Sequence, residues 1–415
     1  MEKPDLLILG LDRQGLEIGL AVATLGGQVI VAYPEESATR LAIRDGEVLA
    51  RLPDCTDLAA FEAHRKAILE DIRRQRSQER LRAARIRVET GPARFLDKRR
   101  VAIGDVTFQP RRVLLATGCG SAAPQAELLD LLERGVVPRR LILRGGAAAA
   151  LDLASLLVRL GSQVTLVSET PVAPDLDADA TRLLLGDLER RGLVRLTGMP
   201  PARPADLPVW EIGAARPVIE DLDLEKAGIR LKNGRLVLKN GFETGNSCVF
   251  AVGRVANPDS LPDASAVAHL VGRLFFRRSG RYQPMPALRL VGGDPGIAAI
   301  GLTEREALAR SGAQIARAAF ADADPADVSG GFVKLMADRK GRLLGACLFG
   351  PRAAENIAPL TLALAQGLTL SEIARLNLPP GRASEAIRLA AASPARGLLR
   401  SSKVQRAFRF FRMFG

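Results

Sequence analysis

A glycine turn near the N-terminus holds the residues best suited to bind a phosphate group. Gly10 and Gly15 have the spacing of the first and third glycines in a G-x-G-x-x-G turn, and Asp12 stands where the second glycine would be. In such a turn the second glycine lets the backbone touch a pyrophosphate, which the N–H groups of the following helix bind. Asp12 adds bulk and a charge of the same sign as that of a phosphate. The turn therefore predicts a strand–turn–helix fold of the phosphate-binding type in which phosphate binding is weakened.

The elements around this turn predict the start of a dinucleotide-binding βαβ unit. An apolar strand at 6–9 leads into the turn, a helix follows over 14–25, and a second apolar strand covers 29–32. This order, with glycines ending the helix, is typical of a buried parallel sheet. The next elements are a long polar helix and four strands, predicted at 56–84, 86–89, 93–96, 100–103 and 113–116.

The thiols and imidazoles form no catalytic or metal-binding pattern. The four cysteines are scattered, without a C-x-x-C pair, at Cys55, Cys119, Cys248 and Cys347. This spacing predicts reduced thiols in a cytoplasmic protein rather than a secreted disulfide framework. The two histidines, His64 and His269, are more simply surface or packing residues than a relocated catalytic base. We therefore predict no metal site.

Length and composition indicate a globular protein of several domains. The 415 residues exceed what one core usually holds, and 47% are hydrophobic and 25% charged. No apolar run predicts a membrane span, and the first strand begins too near Met1 for a signal peptide. The net charge of +13 could indicate nucleic acid or an anionic membrane. No nucleic-acid-binding motif accompanies it, so an Arg- and Ala-rich composition is the simpler explanation.

The C-terminal third predicts a mixed module of sheet and helices. Thr303 and Glu306 have capping-box spacing, and the residues around 338–341 predict a hairpin between two alternating strands. An apolar helix over 353–366 ends at Gly367. A module that is apolar on several sides suits a two-fold dimer interface.

The segment RRVLLATGCGSAAP, which includes Thr117 and Gly118, resembles the ATG-x-x-P element of the pyridine nucleotide-disulfide oxidoreductases, the group of dihydrolipoamide dehydrogenase and mercuric reductase. The resemblance continues along the chain in order. Residues 140–167 are similar to the family's nicotinamide-binding βαβ unit, and 249–255 to its return to the flavin domain. PALRLVGGDPGIAAIGLTEREA, at 286–307, is similar to its entry into the dimerisation domain.

The resemblance implies an α/β fold with two Rossmann-like dinucleotide-binding domains and a C-terminal α+β dimerisation domain, and hence a homodimer. The implied segments are an FAD-type Rossmann domain over 1–118, an NAD(P)-type Rossmann domain over 119–245, a return to the FAD-type domain over 246–285, the dimerisation domain over 286–395 and a basic amphipathic tail over 396–415.

The catalytic groups that the resemblance implies are missing at the matching positions. The family's redox-active Cys-x4-Cys pair should follow the second strand, but no cysteine occurs between Tyr33 and Cys55. Its acid–base histidine and glutamate correspond to the segment PGRASE, where Pro380 replaces the histidine and Glu385 remains. Without the sulfurs, disulfide or mercuric-ion reduction by the family mechanism is excluded, and we assign no catalytic residue.

Three anchors that the resemblance implies for FAD are altered. Asp12 lies in the turn, Tyr33 stands where a carboxylate would hold the adenosine ribose, and the family's Gly-Asp at the ribityl–phosphate region is Gly253-Arg254. Losing a charge-assisted hydrogen bond costs roughly 1.5–3 kcal/mol, so three losses predict FAD binding weaker by several powers of ten. The vestigial flavin site comprises Gly10, Asp12, Gly15, Thr117, Gly118, Gly253 and Arg254.

Asp12 and Arg254 could fill the vacated phosphate site as an ion pair. The fold should bring the Gly10 turn and the Gly253 turn to the same end of the first sheet. Alternatively, Asp12 caps the helix at Gln14 while Arg254 points to solvent. In a third interpretation Arg254 binds an anionic ligand that is not a dinucleotide.

The nicotinamide site that the resemblance implies is altered in the same way. Its turn begins at Gly145, and Ala147 and Ala150 replace the second and third glycines. Alanine in the second place blocks close approach of a pyrophosphate. Asp152 matches a family glutamate, whereas Ser168 stands where a ribose-binding acid would end the strand. NAD(P)H binding at the vestigial Gly145, Ala147, Ala150 and Asp152 is therefore poorly supported.

A basic amphipathic helix is predicted over 400–414. Val404, Phe408, Phe411 and Phe414 recur at helical spacing, with arginine and lysine residues beside them. Such a helix can dock on a protein partner or lie on an anionic membrane, and protein docking is the favoured interpretation.

Together these observations predict a degenerate family member that acts as a non-catalytic scaffold, partner subunit or regulator and binds no cofactor tightly. The first alternative is an oxidoreductase similar to mercuric reductase that binds FAD or NAD(P)H by altered contacts. The second alternative is a peripheral membrane-binding or nucleic-acid-binding protein.

Overall fold

A computed structural model describes residues 1–34, 52, 57–120, 131, 133–198, 207–212, 216–239, 242–257, 264–276, 286, 288–399 and 402–412. The strands in this part of the chain are β1 (Leu6–Leu9), β2 (Val29–Tyr33), β3 (Ile86–Thr90), β4 (Ala93–Phe95), β5 (Val101–Ile103), β6 (Val106–Phe108), β7 (Arg112–Leu115), β8 (Cys119–Gly120), β9 (Arg140–Arg144), β10 (Gln163–Ser168), β11 (Val194–Thr197), β12 (Val209–Glu211), β13 (Arg216–Pro217), β14 (Leu231–Lys232), β15 (Arg235–Leu236), β16 (Val249–Ala251), β17 (Leu288–Gly292), β18 (Gly296–Gly301), β19 (Gln314–Ala319), β20 (Phe332–Ala337) and β21 (Leu343–Gly350). The α-helices are α1 (Arg13–Thr24), α2 (Leu58–Gln75), α3 (Gln78–Ala83), α4 (Ala148–Arg159), α5 (Ala178–Arg190), α6 (Ala264–Phe276), α7 (Glu304–Leu308), α8 (Ala353–Asn356), α9 (Ala358–Gln366), α10 (Leu370–Ile373), α11 (Glu385–Leu399) and α12 (Ser402–Phe411).

The first five-stranded sheet is parallel and carries the glycine turn. Its strand order is β16-β7-β1-β2-β3. Strand β1 is buried along its whole length, as a run of apolar residues predicts for the centre of a parallel sheet. Helix α1 lies against the sheet, and Gly19 permits a close approach, because a Cβ there would lie 2.7 Å from Ile8 Cδ1. The predicted βαβ unit is confirmed by the parallel pairing of β1 and β2.

A second, four-stranded parallel sheet has the order β11-β10-β9-β12. Helix α4 connects β9 to β10, which pair in parallel from Gln163 opposite Arg140 onwards. The predicted βαβ unit over 140–167 is therefore confirmed. A smaller antiparallel sheet, β4-β5-β6, packs its apolar side chains into the core formed by β1 and β7.

The chain divides into two compact units. The first contains residues 1–170 and 193–285, and the second contains residues 171–192 and 286–415. The five segments predicted from the sequence are a finer division than this, and their boundaries stay a prediction.

The second unit is built on an antiparallel sheet of order β17-β18-β21-β20-β19. The predicted hairpin is confirmed: β20 and β21 pair around a turn in which Asp338 accepts hydrogen bonds from the backbone N–H groups of Lys340 and Arg342, both at 2.8 Å. The predicted capping box of Thr303 and Glu306 begins α7. Two parallel sheets followed by this mixed module confirm the predicted α/β fold class.

A buried cation cross-links the second unit. Lys334, on β20, has a side chain that is 2% exposed, and its Nζ lies 2.8 Å from Asp177 Oδ2, 3.0 Å from Asp179 Oδ2 and 2.5 Å from Glu304 Oε2. Burial lowers the pKa of Lys334, but the hydrogen bonds that its ammonium group donates to the three carboxylates outweigh burial and raise that pKa above its ordinary value. We call these four residues the Lys334 cluster.

Two predicted helices are interrupted. The helix predicted over 56–84 is divided into α2 and α3, because the Ser77 hydroxyl accepts a hydrogen bond from Arg80 N and begins a new helix. The helix predicted over 353–366 is divided into α8 and α9, because Pro359 has no N–H to continue the ladder. Helix α6 was missed altogether, and His269 lies on it.

Within the described residues, the helices are all too short or too polar to cross a membrane. In the same part of the chain, no group of three or more His, Cys, Asp or Glu residues could hold a metal ion.

Candidate functional site

The two glycines of the first turn are required by packing. Gly10 has a φ of +108°, and a Cβ there would lie 2.1 Å from Ala116 O. A Cβ on Gly15 would lie 2.4 Å from Ala116 Cβ. Both positions therefore need glycine to hold the turn and α1 against the residue that follows β7. The predicted fold role of these glycines is confirmed.

Asp12 occupies the space between this turn and the Gly253 turn. Its carboxylate accepts a hydrogen bond from Gln14 N at 2.8 Å and caps α1, and the residue is only 6% exposed. A Cβ on Gly253, which has a φ of +65°, would lie 2.4 Å from Asp12 Oδ1. The two turns are thus brought together, as the sequence predicted. The Asp12 carboxylate therefore lies at the N-terminus of α1, which is where a helix would attract a phosphate.

Arg254 lies directly after this contact, in a single 3₁₀ turn at Gly253–Val255. The residue is half-buried rather than fully exposed, so the interpretation in which it points to solvent is not supported. Helix capping by Asp12 is observed. The predicted ion pair between Asp12 and Arg254 stays a prediction.

Thr117 leaves a buried hydroxyl without a partner at the same turn. Its Oγ1 is buried and, among the residues that the structure describes, has no hydrogen-bond partner. The residue adjoins the glycine turn, because a Cβ on Gly10 would lie 2.5 Å from Thr117 N. Gly118 follows with a φ of +73° and accepts a hydrogen bond from Val218 N at 3.1 Å. An orphaned hydroxyl beside a phosphate-type turn fits a bound ligand with its own polar groups.

The turn of the second sheet contains no competing side chain at its helix. Gly145 has a φ of +145°, and a Cβ there would lie 2.2 Å from Ile212 O. Ala147 is the N-cap of α4 and supplies no capping hydrogen bond, while Ala150 is fully buried in the turn's packing. Asp152 is half-buried on the same helix. The turn is thus preserved in shape, with alanines where the family has glycines.

The two residues that replace the ribose-binding carboxylates of the resemblance, Tyr33 and Ser168, make contacts within the protein. Tyr33 is 7% exposed and belongs to the core of the first sheet. Ser168, at the end of β10, donates a hydrogen bond to Thr170 O at 2.6 Å and is buried. Tyr33 therefore packs in the core of the first sheet, and the Ser168 hydroxyl is bound to a backbone carbonyl.

Glu385, the remaining half of the family's acid–base pair, has structural partners. Its carboxylate accepts hydrogen bonds from Arg388 Nη2 at 2.5 Å and from Gly381 N at 2.9 Å. These two contacts, Arg388 first, hold the pKa of Glu385 below its usual range. Pro380 supplies no imidazole, so this carboxylate anchors the start of α11 instead of orienting a base.

The described thiols and imidazoles are not arranged for catalysis. Cys119 and Cys347 are buried and Cys248 is half-buried, all as free thiols, and burial raises the pKa of Cys347. His269 packs near the Phe242 ring, and burial, followed by the charge of Arg273, lowers its pKa. Cys55 lies outside the described residues.

The motif in the sequence identifies Thr117 as a site residue, but only the structure reveals that its buried hydroxyl has no hydrogen-bond partner among the described residues.

Comparison with known proteins extends the similarity along the chain. Residues 289–391 match the family model described as the dimerisation domain of pyridine nucleotide-disulphide oxidoreductases. Dihydrolipoyl dehydrogenase of Thermus scotoductus is 29% identical over 350 residues, which cover 75% of this chain and 76% of that protein. Mercuric reductase of Streptomyces lividans is 29% identical over 327 residues, 69% of each chain.

A solved structure shares the fold. The HOCl-induced flavoprotein disulfide reductase RclA from Escherichia coli superposes with a TM-score of 0.78 at 18% identity, covering 94% of this chain and 99% of that one.

The expectation that no cofactor is bound tightly is wrong. It rested on altered anchors, yet this chain is similar over most of its length to proteins named dihydrolipoyl dehydrogenase and mercuric reductase, and the solved structure that shares its fold is titled a flavoprotein. The physical error was to count only the anchors that changed, and to leave out the closely packed turn glycines and the unpartnered Thr117 hydroxyl of the described residues. The match to the dimerisation domain and the similarity to these relatives over most of the chain support the resemblance to the pyridine nucleotide-disulfide oxidoreductases.

Proposed function

We propose that this chain is an FAD- and NAD(P)H-dependent oxidoreductase that holds its flavin by contacts different from those usual in its family. The similarity to dihydrolipoyl dehydrogenase and mercuric reductase supports the cofactors. The observation that carries the proposal is the buried Thr117 hydroxyl, which lacks a partner in the described part of the chain. A buried polar group left unsatisfied costs about 1–3 kcal/mol, and a ligand hydrogen bond would remove that cost.

The residues around the first turn would bind the flavin dinucleotide. Thr117 would offer its hydroxyl and Arg254 its positive charge, while Gly10 and Gly15 keep the turn closely packed. Asp12 would limit the affinity, because its buried carboxylate lies at the N-terminus of α1. When bound, FAD supplies two-electron chemistry. Because the chain has no Cys-x4-Cys pair, the electrons would pass to an acceptor other than a disulfide of this protein.

An absorption spectrum tests the proposal. The full chain, incubated with excess FAD and freed of unbound cofactor, is expected to show flavin absorption in near-stoichiometric amount. Anaerobic addition of NADPH or NADH is then expected to bleach that absorption. A protein that retains no flavin under these conditions would refute the proposal.

A non-catalytic, flavin-binding partner subunit is the second candidate. It is favoured by Glu385, whose carboxylate is engaged by Arg388 and Gly381 rather than held for an imidazole. The two candidates differ in one measurement. A partner subunit would retain flavin that neither NADH nor NADPH reduces.

We propose that the chain acts as a homodimer through residues 286–395. The match of residues 289–391 to a dimerisation domain supports this proposal. Light scattering coupled to size-exclusion chromatography would give a mass near twice 44.3 kDa for a dimer. A mass of one chain at micromolar concentration would contradict it.

A further inference from the structure

The second sheet ends in a charged edge beside the Gly145 turn. Glu169 follows β10, Arg144 ends β9 and Glu211 ends β12. These three strands are parallel neighbours in the order β10-β9-β12, so their carboxyl ends lie at one edge of the sheet. A sheet of this type binds a nucleotide outside the carboxyl ends of its strands, with the ribose at the end of the second strand of the βαβ unit. Here that second strand is β10.

Glu169 is the residue available to a ligand at the end of β10. The hydroxyl of the preceding Ser168 is bound to Thr170 O at 2.6 Å, and Ser168 is buried. Successive side chains of an extended segment point to opposite sides, and Glu169 is exposed. Its carboxylate makes no ion pair or hydrogen bond with the residues that the structure describes. Both carboxylate oxygens are therefore free to accept hydrogen bonds from a ligand.

The arginine nearest to this position in the sheet already has an acidic partner. Arg144 lies opposite Val167 of β10, and its Nη1 is 3.3 Å from Glu211 Oε1. On the other side of β10, Arg195 of β11 lies opposite Leu166, farther from the end of the strand. The edge thus offers a carboxylate at the end of β10 and a partly neutralised cation beside it.

These charges distinguish the two nicotinamide cofactors. NADPH differs from NADH by a phosphate on the adenosine ribose, and such a phosphate carries nearly two negative charges at neutral pH. Proteins bind it with an arginine near the second strand, but residues 168–181 contain no arginine or lysine. A carboxylate in this position accepts hydrogen bonds from the free ribose hydroxyls of NADH and repels the additional phosphate of NADPH.

We propose that the second sheet binds NADH in preference to NADPH, and that Glu169 recognises the adenosine ribose in place of Ser168. The inference rests on the proposed use of NAD(P)H, but it does not depend on FAD. The Gly145 turn fits the rest of the nucleotide, because Ala147 supplies no side-chain cap and leaves the first N–H groups of α4 to a pyrophosphate.

The single tryptophan of the chain allows nucleotide binding to be measured without enzyme activity. Trp210 is 1% exposed on β12 and pairs with Leu143, two residues before Gly145. Reduced nicotinamide absorbs light at the wavelengths that tryptophan emits, so a nucleotide at this turn quenches Trp210 fluorescence by energy transfer. Titration of the full chain, with and without FAD, is expected to show that NADH binds at least ten-fold more tightly than NADPH.

Variants of Glu169 test its role. Glu169→Gln is expected to weaken NADH binding about ten-fold, because a neutral amide replaces a charged acceptor. Glu169→Arg is expected to reverse the preference, because it supplies the cation that residues 168–181 lack. The matched controls are Glu225→Gln and Glu225→Arg. Glu225 is exposed between Leu224 and Ala227, which pack in the core of the first sheet, so both controls should leave the two affinities unchanged.

Three results would overturn the inference. Equal or tighter binding of NADPH would show that a cation, such as Arg144 released from Glu211, contacts the phosphate. A Glu169→Gln variant that binds both nucleotides like the parent protein, or loses both equally, would show that Glu169 does not recognise the ribose. Binding of neither nucleotide would remove the NADH preference together with the proposed use of NAD(P)H.

The titration also separates this inference from the proposed oxidoreductase. A chain that retains no flavin but binds NADH selectively would refute the oxidoreductase and support the NADH preference. A chain whose bound flavin is reduced equally well by NADH and NADPH, with equal affinities for both, would support the oxidoreductase and overturn the preference.

Discussion

Asp12 places a negative charge at the N-terminus of α1. Without this charge, the N-terminus of the helix would attract a phosphate. The carboxylate is held by Gln14 N at 2.8 Å and lies so close to Gly253 that no side chain fits there. A pyrophosphate would have to approach this anion or displace it. We therefore expect Asp12 to lower flavin affinity without abolishing it.

Removing only the charge of Asp12 tests this expectation. Asn caps helices about as well as Asp, so Asp12→Asn should keep the cap of α1 while it removes the charge. FAD affinity should rise by about ten-fold or more, because a like charge is removed at close range. A flavin fluorescence titration measures the change.

Asp57→Asn is the matched control. Asp57 caps α2 through Ala60 N at 2.8 Å, so the substitution removes one charge from a cap outside the candidate site. FAD affinity should stay constant. If both variants bind FAD like the parent protein, Asp12 does not compete with the cofactor.

Thr117→Val gives effects of opposite sign on stability and on binding. Valine has a similar shape without the orphaned hydroxyl, so the FAD-free protein should gain up to about 1 kcal/mol of unfolding free energy. FAD affinity should fall about five- to ten-fold, because one hydrogen bond to the ligand is lost. Denaturant unfolding and flavin titration measure the two effects.

Thr181 provides the comparison for this variant. Its hydroxyl on α5 is also buried and has no partner in the described part of the chain. Thr181→Val should therefore stabilise the protein similarly and leave FAD affinity unchanged. A Thr117→Val variant that binds FAD normally would argue against a ligand contact at that hydroxyl.

The elements that the sequence predicted correctly are those specified by local patterns. The apolar run of β1 and the capping box of Thr303 and Glu306 carry their signals within a few residues. The break at Ser77 was missed because continuous helical periodicity outweighed a single capping residue. The Lys334 cluster joins the segments before α5, at α7 and on β20, and no local pattern encodes such a contact.

Substitution of Lys334 should destabilise the second unit strongly. Lys334→Met would leave the carboxylates of Asp177, Asp179 and Glu304 close together without their common cation. Breaking a buried pair on one side costs about 3–5 kcal/mol. The control Lys226→Met removes an exposed pair with Asp223 and should cost less than about 1 kcal/mol.

The pH dependence of this cluster has a definite sign. Hydrogen bonding to Lys334 lowers the pKa of Asp179, so its contribution is present above the unfolded value of about 3.9 and is lost as the pH falls through the lowered value. The raised pKa of Lys334 gives a contribution that is complete below about 10.4 and is lost as the pH rises through the raised value.

Lys334→Met should reverse the acid side of this profile. The three carboxylates that remain in the variant repel one another, and protonation removes this repulsion. The loss of unfolding free energy relative to the parent protein should therefore be smaller at about pH 5 than at pH 7. Urea unfolding at both pH values measures the deficit. A deficit that stays constant or grows on acidification would mean that lost packing, rather than uncompensated charge, causes the destabilisation.

At the scale of the whole chain, sheet topology assembles what the sequence leaves far apart. The pairing of β7 with both β1 and β16 puts the turn after β1 next to the turn after β16, and Asp12 consequently meets Gly253. The resemblance to a family predicted this meeting, whereas the separation of 241 positions between the two residues gives no local signal. That Asp12 occupies the space between the two turns, where a ligand phosphate would lie, could be seen only once both turns had been placed.

The two compact units should respond separately to ligand and to mutation. FAD at about a hundred times its dissociation constant stabilises its binding unit by about 2.7 kcal/mol, which corresponds to about 5–10 °C for a unit of this size. Because the candidate site lies within residues 1–170 and 193–285, only the transition of that unit should rise in scanning calorimetry. Lys334→Met should lower only the other transition, because the whole Lys334 cluster lies in residues 171–192 and 286–415. A single transition that moves with both changes would show that the chain unfolds as one cooperative body, and an FAD shift confined to the second unit would put the flavin outside the Gly10 turn.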